Sequence, residues 1–388
     1  MYKDALGLSK VSAGFIAVLV GYSSSAIIIF QAAAVLGATP AQISSWLWAL
    51  GVGMGLSSIA LSLYYKMPIL TAWSTPGAAL LVTSLAGLSL NEAIGAFLLS
   101  SALMLLVGLS GWLDKLMRII PPNLASAMLA GVLLQFGLGV FTAMERQLGM
   151  VCLMLAVFIV AKSWLPRYVI LVTLLVGIGS CYLLGLLDLS RVQIEFTAPV
   201  WTTPAFSFAS IVGVALPLFV VTMASQNVPG MAALHSHGYF PAASRLVAST
   251  GFVGVLLAPF GGFAFNLSAI TAAICMGREV DSSPEKRYWA SVWAGVFYLL
   301  SGLFGATVVG LFSAFPKELI SVIAGLALLG TISGSLSAAM HDAKGREPAL
   351  LTFLLTASGV SVLGISSAFW GLSLGLAVYF WQRRISIS

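Results

Sequence analysis

Charge is missing from this chain over distances that a water-soluble fold does not tolerate. Eleven stretches of at least fifteen residues lack Asp, Glu, Lys and Arg: 11–65, 67–91, 93–113, 119–144, 147–161, 168–187, 196–244, 246–277, 288–316, 319–341 and 348–382. A helical membrane span needs about 20 mostly apolar residues. Three stretches therefore hold two spans each, with breaks at Gly37-Ala38-Thr39-Pro40, at Pro259-Phe260-Gly261-Gly262 and near Gly364 to Ser367. The sum is 11 + 3 = 14 segments. Only 8% of residues are charged and 60% are hydrophobic, against about 25% charged in soluble domains. Lipid must be the solvent, and no long hydrophilic segment leaves room for a soluble domain. The first run, Val11 to Val35, is too long for the apolar core of a signal peptide.

The formal charge of +6 points to membrane topology and not to nucleic acid, because the basic residues sit in short loops. Alternating the loops puts Lys3, Lys10, Lys66, Lys115, Arg118, Lys162, Arg167, Arg245, Arg278, Lys286, Arg287, Lys344, Arg346, Arg383 and Arg384 on one side. The other side receives Arg146, Arg191 and Lys317, a split of 15 to 3. Positive loops stay cytoplasmic, so both termini are expected inside. Cys152, Cys181 and Cys275 lie in apolar runs without metal-ligand spacing, and His235, His237 and His341 fall in loops. The chain has no phosphate-binding loop, nucleophile elbow or acidic metal motif. No cofactor, metal or enzyme activity is expected.

Seven spans per half is an odd number, so two such halves would lie in the membrane with opposite orientation. A shift of 194 residues places Gly108-Leu109-Ser110-Gly111 on Gly302-Leu303-Phe304-Gly305, Pro122 on Pro316, and Ala130-Gly131 on Ala324-Gly325. It also places Glu92 on Lys286. The expectation is an all-α membrane protein built as a seven-plus-seven inverted repeat, the first repeat in 1–190 and the second in 205–388. Inverted repeats of this kind are typical of secondary transporters.

Two segments in corresponding positions, the third and the tenth, look interrupted: 69–84 and 260–276. Each starts extended and then becomes helical. Ser74-Thr75-Pro76 reads as a helix start with a hydroxyl cap and an early proline, and Asn266 and Ser268 can cap the second helix in the same way. Two half-helices that meet near the midplane would aim free N–H groups and positive dipole ends at one spot, which suits an anion. The plainer alternative is a pair of kinked packing helices. A third polar cluster, Ser225-Gln226-Asn227-Val228-Pro229-Gly230, either bonds neighbouring helices or lines the site. Tyr22-Ser23-Ser24-Ser25 and Gln31 are weaker candidates. Gly51-x-x-x-Gly55 and Gly371-x-x-x-Gly375 read as close helix contacts.

Several of these stretches resemble the benzoate–proton symporters of bacterial inner membranes. The resemblance runs nearly end to end. It is carried by Gly14 to Tyr22, Leu70 to Leu80, Met223 to Asn227, Ala269 to Glu279 and Gly364 to Gly371. The family looks related to nucleobase and sulfate transporters, which implies a core domain that moves against a gate domain, each drawn from both repeats. It also implies short strands before the half-helices of segments 3 and 10. The implied substrate is benzoate or a close aromatic carboxylate, carried with protons by alternating access; a homodimer is left open. The residues that would line the site are Tyr22, Trp73, Ser74, Thr75, Gln226, Asn227, Phe263, Phe265, Asn266 and Ser268. The alternatives are a nucleobase or inorganic-anion carrier on the same fold, or an anion channel.

The chain departs from the proton-coupled nucleobase carriers in having amides and a hydroxyl, Gln226, Asn227, Asn266 and Ser268, where those carry acidic residues. Every Asp and Glu lies in or beside a loop. A proton could then travel on the substrate carboxyl, because desolvation raises its pKa. The competing relay is Glu92, at the outer end of segment four.

Overall fold

The computed structural model describes residues 7–111, 121–165, 168–188, 192–278, 280–360, 362 and 367–385. Lys3, Lys115, Arg118, Arg167, Arg191, Glu279 and the break at 364–366 lie outside the described residues. The chain opens with two long helices, α1 (Leu8–Val35) and α2 (Pro40–Tyr65). The Thr39 and Gln42 side chains cap the start of α2 reciprocally, with Pro40 in its first turn. Strand β1 (Thr71–Trp73), the short helix α3 (Thr75–Ser84) and four helices follow: α4 (Leu90–Ser110), α5 (Pro122–Thr142), α6 (Met144–Trp164) and α7 (Val169–Leu183). After a non-helical crossing come α8 (Phe208–His235) and α9 (Ala243–Leu257). Strand β2 (Phe265–Leu267) and the seven-residue α10 (Ile270–Met276) are next. The chain closes with α11 (Tyr288–Leu303), α12 (Gly305–Ser313), α13 (Lys317–Ala339), α14 (Arg346–Ala357) and α15 (Ser367–Ile385).

Among the described residues seven helices are long and apolar enough to cross a membrane, or up to nine if each of two bent pairs counts as one span. Both interrupted segments take the anticipated form, a three-residue strand followed by a short helix. The strands pair antiparallel, Thr71 opposite Leu267, Ala72 opposite Asn266 and Trp73 opposite Phe265. Helix α2 satisfies much of what that ladder leaves over. Ser58 Oγ accepts from Thr71 N (3.0 Å), Met54 Sδ from Trp73 N (3.1 Å), and Ser62 Oγ donates to the Ile69 carbonyl (2.7 Å). These serines give a helix of otherwise apolar residues one polar edge, which faces the strand.

Small residues let the helices approach closely. A Cβ on Gly51 would meet Gly302 Cα at 2.5 Å, and one on Gly55 would meet the Gly295 carbonyl at 2.8 Å, so the first GxxxG pattern is the α2–α11 seam. The second sets Gly371 and Gly375 of α15 against Thr352 and Thr356 of α14. Gly261, at φ +93°, turns the chain from α9 toward β2 directly beneath the Trp46 indole, where no side chain fits.

An ion pair clips the two halves together at one face. Lys10, at the start of α1, reaches Asp281 Oδ2 at 2.8 Å, and Ser9 Oγ donates to the Val280 carbonyl (2.8 Å). The Arg287 guanidinium closes the same loop by donating to the carbonyls of Asp281 (2.8 Å) and Met276 (3.0 Å). Lys10, donating to the Asp281 carboxylate, holds that carboxyl below its ordinary range, aided by the Ser283 N–H. A depressed folded-state pKa adds stability above the unfolded value of about 3.9 and loses it as pH falls through the folded value. Asp281→Asn should therefore melt below wild type at pH 7, with the gap closing as pH drops below about 4. Equal melting at pH 7, or a gap independent of pH, would show that the pair contributes nothing to stability.

Candidate functional site

The broken ends of both interrupted segments face one cavity of about 250 Å³. Ala72, Trp73, Thr75 and Pro76 line it from the first, and Ser268, Ala269 and Thr271 from the second. Helix α1 adds Val20, Gly21 and Ser25, and α8 adds Ser225, Gln226 and Pro229. Met54, Tyr298 and the α13 pair Ala327 and Leu328 close it. The volume lies below the roughly 300–1,000 Å³ of drug-sized pockets, room for a small molecule only. No lining residue is charged.

Helix α8 owes its polar face to a π turn. Residues Met223–Asn227 are wound as a π-helix, and a second π turn covers Ile211–Ala215. The wider turn spreads three adjacent polar side chains to different neighbours. Ser225 and Gln226 meet the cavity. Asn227, 2% exposed, turns to the strand instead: its Oδ1 accepts from Leu267 N at 3.0 Å and its Nδ2 contacts Met223 Sδ at 3.2 Å. Among the described residues the half-buried Gln226 carboxamide has no side-chain hydrogen bond.

The first half-helix spends most of its N-terminal donors on itself. Ser74 Oγ accepts from Gly77 N (2.9 Å), Ala78 N reaches the Ser74 carbonyl (2.7 Å), and Pro76 has no N–H. Thr75, with its N–H and hydroxyl, is what that terminus presents to the cavity. The second half-helix corrects the sequence reading. Asn266 and Ser268 do not cap α10, whose N-cap position is Ala269 with no side-chain cap. Asn266 sits inside β2 and its Nδ2 donates to the Ala264 carbonyl (2.9 Å), while the Ser268 and Thr271 hydroxyls hydrogen-bond each other. The same Ala264 carbonyl accepts from Ser74 N (3.1 Å), and Ala264 itself is held at φ +47°. Ser74 and Asn266 thus converge on one atom, but behind the cavity wall.

Of the ten residues read from sequence as site-lining, the structure puts Trp73, Thr75, Gln226 and Ser268 on the cavity. Tyr22 stands behind Trp73, edge-on at 4.8 Å, while the indole N–H donates to Ser25 Oγ (2.8 Å). Ser74, Asn227 and Asn266 bind backbone. Phe263 and Phe265 are fully buried elsewhere; Phe263 packs with Trp46 and Phe97, and the Phe265 ring fills the space beside Gly53. Glu92 is remote: its carboxylate accepts from Ser89 N (2.9 Å) and Ser89 Oγ (2.7 Å) in a capping box that starts α4. Sequence reasoning missed Thr271, Met54, Tyr298 and Leu328. Thr271 was within reach, three residues from Ser268 on the same helical face; the other three carry no local signal.

The fold has solved counterparts. The overall structure of SLC26A9 aligns over 97% of this chain and 66% of that one, with a TM-score of 0.65 at 12% identity. The transmembrane domain of BicA, a cyanobacterial bicarbonate transporter, aligns over 97% and 96%, with a TM-score of 0.61 at 15% identity. These likenesses give the architecture, a helical membrane fold whose broken helices meet at an internal cavity.

A model of the benzoate membrane transport protein family matches residues 4–381, and the chain belongs to that family. It is 50% identical over 367 residues to the inner membrane protein YdcO of Escherichia coli K12, covering 95% of this chain and 94% of that one. It is 40% identical over 378 residues to a benzoate membrane transport protein of Acinetobacter baylyi, covering 97% and 96%.

The two adjacent amides should separate by experiment. Asn227→Ala strands the buried Leu267 N–H, which costs about 1–3 kcal/mol, so the detergent-purified variant should melt below wild type. Gln226→Ala should melt with wild type. A reversed order would place Gln226, not Asn227, in the scaffold.

Proposed function

We propose that the cavity binds benzoate or a close aromatic carboxylate and that the chain imports it across the bacterial inner membrane by alternating access, coupled to protons. The observation that carries this reading is Gln226, a carboxamide that makes no side-chain hydrogen bond among the described residues, held at the cavity by a π turn with Thr75 and Ser268 in the same lining. Amides and hydroxyls donate to a carboxylate and accept from a carboxylic acid, so neutral groups can hold both charge forms. Trp73 and Tyr298 give the ring an aromatic wall. The 40% identical relative bears the name of a benzoate carrier. Uptake of labelled benzoate into proteoliposomes under an inward proton gradient, competed in turn by uracil, sulfate and bicarbonate, tests the substrate. Competition by unlabelled benzoate alone is the expected result, and block by an inorganic anion or a nucleobase would move the assignment to that class.

Fourteen segments in two inverted repeats, 1–190 and 205–388, complete the proposal, with core and gate domains drawn from both and both termini cytoplasmic. The strand register supports the repeat. Ala72 pairs with Asn266, and 266 − 72 = 194, the internal offset of the sequence. Equivalent residues facing each other in an antiparallel ladder are what a two-fold axis between them produces. The Lys10–Asp281 contact supports the topology, since it joins the start of α1 to the loop before α11, both assigned to the cytoplasmic side.

Two variants test the site. Gln226→Ala removes one hydrogen bond to a charged ligand, about 1.5–3 kcal/mol, and should weaken benzoate binding roughly 10- to 100-fold. Unchanged affinity would remove Gln226 from the site. Glu92→Gln should leave proton-driven accumulation in place, because the carboxylate serves the α4 cap and the proton travels on the substrate. Loss of accumulation with binding intact would make Glu92 the relay.

A further inference from the structure

A second chamber, of about 500 Å³, lies along the same helices as the central cavity. From Ser25 to Gln31 along α1 is six residues, and from Pro76 to Thr83 along α3 is seven. From Leu328 back to Ser321 along α13 is again seven. At 1.5 Å per residue each step is about 10 Å, and all three lead away from the face that carries Lys10. The turns in between present Ile28, Ala79, Leu80 and Ala324, each fully buried. One apolar layer thus separates the two chambers. On the opposite side the central cavity shares Ser225 and Pro229 with a third hollow, reached by Ser126 and Ser335. An apolar layer lies between the central cavity and the second chamber, whereas the third hollow adjoins the central cavity across Ser225 and Pro229.

The second chamber's lining is unusual for a gap between apolar helices. Gln31 from α1 and Gln135 from α5 contribute two carboxamides, Thr83 and Ser321 two hydroxyls, and Phe136 a ring. No charged residue lines it. Among the described residues neither Gln31 nor Ser321 makes a side-chain hydrogen bond, and Gln135 makes one long contact, 3.4 Å to the Ala357 carbonyl. Gln31 is half-buried and Gln135 exposed toward the chamber's opening, and an apolar occupant such as a lipid tail would cover both carboxamides without giving them partners. A bare inorganic anion would leave Val35, Val82 and Phe136 unused.

We propose that this chamber is a docking site for the transported aromatic carboxylate. The carboxamides of Gln31 and Gln135 hold its carboxyl and Phe136 meets its ring, one apolar layer short of the central cavity. The inference rests on the substrate reading above. The chamber repeats the chemistry of the central site, neutral donors beside an aromatic wall, so the ligand meets similar partners before and after the layer opens. Passing from one to the other then requires no change in its charge state.

Photolabelling with 4-azidobenzoate, with labelled peptides mapped by mass spectrometry, tests the proposal. Wild type should be labelled in two places, around Thr75 and Gln226 and around residues 31–35 and 135–139, both protected by excess benzoate. Gln226→Ala should lose the first and keep the second. Gln31→Ala with Gln135→Ala should lose the second and keep the first, and the single variants should raise the benzoate concentration needed for protection there about tenfold, as loss of one hydrogen bond implies. Gln135→Glu, of the same size but anionic, should abolish labelling of the second chamber in protein that melts as wild type does. Central labelling without any at 31–35 or 135–139 overturns the docking site and leaves the substrate reading intact. So does labelling there that lipid displaces and benzoate does not. Absence of both labels overturns the substrate reading, and the docking site with it.

Discussion

In an apolar surround a helix can be broken only where the freed backbone groups find partners. The β1–β2 pairing is where this chain meets that demand, and the site depends on it. Each strand is too short to persist alone, and each has the other as its ladder. The remaining groups go to side chains placed for them: serines of α2 on one flank, Asn227 of α8 on the other. The carboxamide beside Asn227 is thereby fixed in direction. The bond from Leu267 N to Asn227 ties β2 to the π turn that carries Gln226 to the cavity.

The strongest elements of the fold were legible because they are written in composition. Long uncharged stretches can be little else than spans, and the interrupted segments show as Ser74-Thr75-Pro76 and as Gly261-Gly262 with Asn266 and Ser268 inside otherwise apolar runs. The site was legible only in part. Trp73, Thr75, Gln226 and Ser268 could be read from local signals, a helix start and an amide in an apolar run. Which of two adjacent amides faces the cavity could not, because the π turn that separates Gln226 from Asn227 has no spacing signature. The aromatics Phe263 and Phe265 misled for a related reason. In a segment of alternating geometry one turn of chain decides between cavity and core, and Gly261 sends both rings under the α2–α4 side. Tyr298 and Leu328 come from segments remote in sequence, and only the packing of α11 and α13 against α1 brings them to the wall.

The cavity is lined without a charged side chain. A lysine or arginine there would bind an anion strongly and the neutral acid poorly, and its own burial would be expensive. Hydroxyls and amides are cheaper to bury, provided each is satisfied, and most here are: Ser25 by Trp73 and Gly21, Ser225 by Val221, Ser268 by Thr271. Among the described residues Gln226 and Thr75 make no side-chain hydrogen bond, and a side chain left with unused hydrogen-bonding capacity at such a place is where a ligand contributes most.

The register of the two strands has a consequence for how the chain comes to exist at all. β1 leaves the ribosome long before β2, since Ala72 and its partner Asn266 are 194 residues apart. Through that interval the β1 backbone has no ladder partner, and its N–H and C=O groups must be met by water or by other protein. The hydrogen bonds at the centre of the molecule can therefore close only once residue 267 has been made, although the first of the two strands is among the earlier pieces synthesised.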